Sequence, residues 1–186
     1  YTLKARISGS GDTLAIDYQF TNGGAGPVLV TNKIWRMVEG KAKIDPDFVY
    51  AHVNSDGLLA IYKTMPNIPE GKSPTNLVAP YMTKVESGDR LSESITLQLP
   101  LLPYQEYFNN EPAEDSDGNK LVQTVKEVAF GLAFFVPPEG SKIWNEKAFG
   151  ENVDLFHNPP GKRAQYGVLW SERFKVSVPV YRRKEA

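Results

Sequence analysis

The sequence predicts an all-β protein, an antiparallel β-sandwich of about nine strands joined by hairpins and long loops. Three observations carry that expectation. In Thr13 to Asn22 the large apolar residues Leu14, Ile16, Tyr18 and Phe20 alternate with Ala15, Asp17, Gln19 and Thr21. A period of two places the first set on one face of a strand and the second on the other. The same period returns at Leu91 to Leu99 and at Phe174 to Val180. Finally, no segment of about ten residues or more shows the 3.6-residue stripe of an amphipathic helix. A closed β-barrel is the alternative, because strand number alone does not separate the two.

Each element follows from local chemistry. Leu3, Ala5 and Ile7 share one face of a first strand, closed by the hairpin connection Gly9-Ser10-Gly11-Asp12. The second strand runs from Thr13 to Thr21 and ends at Asn22-Gly23-Gly24. Pro27 opens a third, Val28 to Met37; proline has no amide hydrogen for a ladder and is tolerated at a strand's first residue. Asp47 to Val53 and Leu58 to Thr64 flank Asn54-Ser55-Asp56-Gly57, where glycine accepts the positive φ of a tight turn. Met65 to Pro74 is proline-rich loop. Asn76 to Glu86 and Arg90 to Leu99 flank a hairpin at Ser87-Gly88-Asp89, and Leu101 to Asn119 is irregular.

Val125 to Val136 is the most apolar strand. Val128, Phe130, Leu132, Phe134 and Val136 take one face, and Ala129, Gly131, Ala133 and Phe135 take the other. Neither face is polar, which predicts a central strand covered on both sides. Pro137 to Gln165 is expected to be a long loop with a short helical turn near Trp144 to Phe149. Gly167 to Val180 reads as a last strand broken near Ser171. The length of 186 residues suits one domain over 1–186.

Composition excludes several functions. A net charge of −1 supplies no field for nucleic acid or an anionic membrane. No run approaches the ~18 apolar residues of a membrane helix, so no spanning segment is expected. The chain has no cysteine, which removes disulfides and thiol chemistry. It opens on Tyr1 already in strand pattern, without a Met, and is rich in Tyr, Asn, Gly and Pro. These features predict an extracytoplasmic protein, periplasmic, cell-surface or secreted.

Leu14-x-Ile16-x-Tyr18-x-Phe20-Thr21-Asn22, then Pro27-Val28-x-Val30, then Ile95-x-Leu97-x-Leu99-Pro100 and the apolar strand before Pro137-Pro138 follow a recurrent order. That order resembles the immunoglobulin-like or fibronectin-like sandwiches of bacterial exported proteins. The resemblance is one of pattern, covers most of the chain and lacks the Cys–Trp–Cys spacing of antibody domains. It implies an immunoglobulin-like β-sandwich and assigns no site residue, because such sandwiches host adhesion, sugar binding, chaperoning and inhibition alike.

Glu111 to Asn119 holds four carboxylates and one Asn. With Gly118 at the glycine position of a calcium loop, however, Ala113 and Thr124 fall where the opening carboxylate and closing Glu belong. It reads as a solvated turn, and no metal or other cofactor is expected. His52 lies in strand phase, whereas His157 sits in the expected loop, beside Lys162 and Arg163. No nucleophile elbow and no phosphate-binding glycine loop is present. Aromatics are the richest resource, with nine Tyr, nine Phe and three Trp.

The expected functional surface is therefore the segment Pro137 to Gln165 and its borders. Its ligand-binding candidates are Trp144, Phe149, Phe156, His157, Lys162, Arg163 and Tyr166. Long loops in compact domains are usually functional or disordered, and paired prolines stiffen this one at both ends. The expected function is a non-enzymatic exported binding or assembly module that recognises a protein or a glycan. The alternative is an extracytoplasmic hydrolase with a distributed site near His157.

Overall fold

The computed structural model describes residues 1–184 and is built from strands, with no helix among the described residues. In chain order these are β1 Thr2–Ser10, β2 Thr13–Thr21, β3 Val28–Lys33, β4 Trp35–Val38 and β5 Lys41–Ile44. They continue with β6 Tyr50–Val53, β7 Leu58–Lys63, β8 Tyr81–Val85, β9 Arg90–Gln98 and β10 Val122–Val136. The last four are β11 Lys142–Ala148, β12 Glu151–His157, β13 Gln165–Trp170 and β14 Phe174–Tyr181. No helix is long and apolar enough to cross a membrane among the described residues.

A three-stranded sheet, β1-β2-β9, lies against a nine-stranded sheet, and β4-β5 forms a separate ribbon. No sheet closes into a barrel among the described residues. The core lies between the two larger sheets. Leu14, Ile16, Tyr18 and Phe20 of β2 meet Val128, Phe130, Leu132 and Phe134 of β10, with Leu59 and Ile61 of β7. The period of two in β2 is what delivers that face, and the arrangement is consistent with a β-sandwich.

β10 organises the larger sheet. Glu127 to Leu132 pairs with β7, and Phe134 and Phe135 pair with β3. The opposite edge pairs with β14 over Val122 to Val128 and with β13 over Gly131 to Val136. Where β7 and β3 part company, the Thr31 hydroxyl lies 3.0 Å from the Lys63 carbonyl oxygen and 3.1 Å from that of Ala133. That buried hydroxyl fills the gap between two strands that share one edge without pairing each other.

Three expectations need correction. Among the described residues the strands number 14 in place of about nine, because Val28 to Met37 divides into β3 and β4, Gly167 to Val180 divides into β13 and β14, and β5, β11 and β12 are strands that the sequence does not announce. The sheet is not purely antiparallel, since β7 and β10 run parallel. A parallel neighbour needs a crossover, and here the chain from Thr64 to Leu121 makes it, carrying β8 and β9 on the way. Third, Pro137 to Gln165 is not a loop with a helical turn. It is the β11–β12 hairpin, in register from Lys142↔His157 to Ala148↔Glu151. The break near Ser171 does separate β13 from β14.

Candidate functional site

The hairpin register decides where the foreseen residues go. Trp144 pairs with Leu155, and Ile143 pairs with Phe156. Partners across a ladder share a face and neighbours alternate, so Trp144 and Phe156 lie on opposite faces of the hairpin. Phe149 sits at the tip and packs against Trp35 and Tyr81, with ring centroids 5.8 and 5.9 Å away. His157, Lys162 and Arg163 are exposed around the base of the hairpin. Lys162 Nζ donates to the Glu139 carbonyl oxygen at 3.4 Å. Of the seven foreseen residues, Phe156 and Tyr166 are brought together through a residue not foreseen: Phe135 lies 5.6 Å from the first and 4.9 Å from the second.

That aromatic run continues along β13. In a strand, Tyr166, Val168 and Trp170 share a face, and across the ladder they stand opposite Phe135, Ala133 and Gly131. This is the face of β10 that points away from the main core. The alternate face of β13, Gly167 and Leu169, turns inward, and Leu169 packs on the core. The strand thus buries its smaller side and exposes its larger one. Tyr166 is 45% exposed, Val168 38% and Trp170 49%.

Gly131 explains how Trp170 lies. A Cβ placed on Gly131 would stand 2.8, 2.8 and 2.9 Å from three carbons of the indole's six-membered ring. Near-equal distances to three ring atoms mean that the ring lies face-on across the glycine. One indole face rests on the backbone of β10, and Trp170 remains half-exposed. Tyr62 of β7 meets the indole edge-on at 6.0 Å.

Polar groups rim this platform. Tyr166 is pinned by the Met65 amide, which donates to its hydroxyl at 3.1 Å. The Tyr62 hydroxyl accepts from Gln105 Nε2 at 3.0 Å and pairs with His52 Nδ1 at 3.2 Å. Gln105 in turn accepts from Arg183 Nη1 at 2.7 Å. Burial holds the His52 ring below its ordinary pKa, against the Asn54 hydrogen bond and with the help of Arg183. A hollow of about 190 Å³ lies among His52, Tyr62, Met65, Asn67, Tyr166 and Trp170.

A larger hollow of about 570 Å³ is lined by Trp35, Phe48, Leu101, Leu102, Tyr104 and Glu106. Its charged groups are engaged locally: Arg36 Nη2 lies 2.7 Å from Asp45, and the Arg36 guanidinium lies 5.2 Å from the Phe48 ring centroid. Burial raises the Glu106 carboxyl pKa, and the Tyr104 hydroxyl donates to it at 3.5 Å. The acidic turn is closed on itself. Asp115 Oδ1 accepts the Asp117 and Asn119 amides, both at 2.9 Å, which holds its carboxyl below the usual range. No group of three or more His, Cys, Asp or Glu stands ready for a metal among the described residues.

The sequence singles out Tyr166 but not Trp170. The signal available was the alternation Tyr166-x-Val168-x-Trp170, but periodicity cannot say which face of a strand meets water. Compared with known proteins, the chain matches no family model, no curated protein and no solved structure.

Proposed function

We propose that this protein is a non-enzymatic binding module that takes a glycan on the outer face of its larger sheet, with Trp170 as the platform and Tyr166 beside it. The observation that supports this reading is the half-exposed indole spread over Gly131. A sugar ring carries a flat array of C–H bonds edged by hydroxyls. A flat aromatic face rimmed by His52, Asn67 and Tyr62 has the complementary character, apolar in the middle and hydrogen-bonding at its border. Tyr166 and Trp170 lie four residues apart on one strand, roughly 13 Å, a span suited to an extended oligosaccharide. The immunoglobulin-like resemblance and an extracytoplasmic location belong to the same reading, since such sandwiches serve recognition where polysaccharides are exposed.

The test is native electrophoresis through gels containing soluble xylan, mixed-linkage glucan, mannan or starch. Retardation is expected in at least one gel. Trp170→Ala should weaken it by on the order of 2 kcal/mol, roughly thirtyfold, as for a central aromatic anchor. Trp144→Ala, off the platform, should leave it unchanged. Unretarded migration in all four gels, or equal retardation of wild type and Trp170→Ala, would overturn the reading.

A further inference from the structure

We propose that the groove between β4 and the crossover segment Leu101 to Glu106 binds a small apolar molecule ending in an ammonium group, with Glu106 as the counter-charge. The groove shares no residue with the hollow beside Trp170, and the proposal stands independently of glycan binding. Its floor is dry: Leu97 and Leu101 are 6% and 7% exposed. Met37 and Leu102 also line it and are 59% and 44% exposed, which leaves apolar surface at the mouth. Trp35, Phe48 and Tyr104 supply aromatic walls, and the rings of Phe48 and Tyr104 meet edge-on at 5.2 Å. The volume of about 570 Å³ falls within the roughly 300–1,000 Å³ of small-molecule sites. Separate stretches of the chain line it, from β4, the segment after β5, the end of β9 and the crossover. That makes a concave site and not a sheet edge, which suits a compact ligand better than an extended peptide.

Charge selects among compact ligands. Arg36, the cation in the lining, is already engaged. Its Nη2 lies 2.7 Å from Asp45 Oδ2, its Nε donates to the same oxygen at 2.9 Å, and its guanidinium covers the Phe48 ring. Asp47 and Glu106 add two carboxylates to the lining, and neither forms an ion pair among the described residues. Asp47 Oδ1 accepts the Thr96 amide at 2.9 Å. Glu106 receives only the Tyr104 hydroxyl among the described residues, at a long 3.5 Å. It is half-buried, and burial pushes its pKa up against that weak bond.

A carboxylate drawn out of water with no cation beside it carries a desolvation cost that a bound ammonium offsets. An anionic ligand meets two carboxylates and no free cation in the lining. An uncharged ligand fills the apolar floor but leaves Glu106 unpaired. Aromatic faces favour the same charge: Phe48 already carries the Arg36 guanidinium, and Tyr104 offers a second ring next to Glu106. The ligand class is therefore an arylalkyl or alkyl amine, its apolar body over Leu97 and Leu101 and its ammonium at Glu106.

Methyl NMR of the full chain with labelled methionine locates the binding event. Met37 lines this groove, Met65 lines the hollow beside Tyr166, and Met82 lies on β8. The probes are phenethylamine, phenethyl alcohol and phenylacetate, matched in ring and length but not in charge. Mildly alkaline buffer keeps the amine protonated and the carboxylates ionised. Phenethylamine is expected to shift the Met37 signal along a saturating curve and to leave Met65 in place. Phenethyl alcohol should bind about tenfold more weakly, and phenylacetate not detectably. Glu106→Gln, which keeps the shape, should bring the amine down to the level of the alcohol, with Met65 and Met82 at their wild-type positions as the mark of an intact fold. Leu102→Ser should weaken the amine and the alcohol alike. No Met37 shift up to millimolar amine, equal affinity for amine and phenylacetate, or undiminished amine binding by Glu106→Gln would each overturn the proposal. A shift of Met65 without Met37 would overturn it as well, and would assign the amine to the hollow beside Trp170.

Discussion

Gly131 and Gly167 lie on neighbouring strands beneath aromatic rings on opposite sides of one sheet, and they separate packing from recognition. A Cβ on Gly167 would stand 2.8 Å from Phe134 Cζ, and Phe134 belongs to the main core at 6% exposure. Core rings have nowhere to go, so Gly167→Ala should destabilise by about 1–3 kcal/mol, measured by urea denaturation. A Cβ on Gly131 collides as closely with Trp170, but that ring borders solvent and can lift. Gly131→Ala should therefore cost less than about 1 kcal/mol while tilting the platform and abolishing gel retardation. Equal destabilisation by both substitutions, with retardation retained by Gly131→Ala, would show Trp170 to be a packing residue.

At the scale of the element, the β11–β12 hairpin shows how a turn can hide from a reading of sequence. Its tip is Phe149-Gly150, with φ of 50° and 83°, and the β4–β5 ribbon turns at Glu39-Gly40, with φ of 50° and 78°. Two successive positive φ values are the primed hairpin turn that matches strand twist. Asn-Gly and Asp-Gly announce it. Phe-Gly does not, because an aromatic at positive φ is strained, and here the ring is held by Trp35 and Tyr81. Gly150→Ala puts a side chain in the same left-handed region without such support. The expected loss is about 1–2 kcal/mol, read as a lower urea midpoint at unchanged slope. No loss would mean that the turn rearranges freely and that the hairpin contributes little to cooperative stability.

On the scale of the whole molecule, a chain of hydrogen bonds ties distant segments together. His52 of β6, Tyr62 of β7, Gln105 of the crossover and Arg183 beyond β14 form one connected series. The folded His52 ring holds its proton more weakly than its ordinary value of 6.5, chiefly through burial. As pH falls, the unfolded chain takes up that proton first. His52 thus contributes stability in full above about pH 6.5 and loses it progressively as pH drops toward the folded pKa. Melting temperature should fall between pH 7 and pH 5, and fall less in His52→Gln, which cannot titrate. Parallel declines in the two proteins would assign the acid sensitivity to other groups.

Residue spacing by itself determined the strand faces. Alternation in β2, β9 and β10 is a local property, and burying the larger face of each follows from the hydrophobic effect. The breaks at Asn54 to Gly57, at Ser87 to Asp89 and near Ser171 were legible for the same reason, since turn chemistry resides in adjacent residues. Tertiary structure decided what depends on residues far apart in the chain. It made β7 and β10 parallel neighbours, which no short window specifies. It set the hairpin register that parts Trp144 from Phe156, because one residue of register exchanges the faces. It turned Tyr166, Val168 and Trp170 outward, against the rule that held in β2, because the inner side of β13 has room only for Gly167 and Leu169 over Phe134. It also brought Asn32 and Glu93, on facing sheets, within 2.6 Å of each other. Periodicity fixes which residues share a face; only packing chooses which face meets water and which chemistry meets across the core.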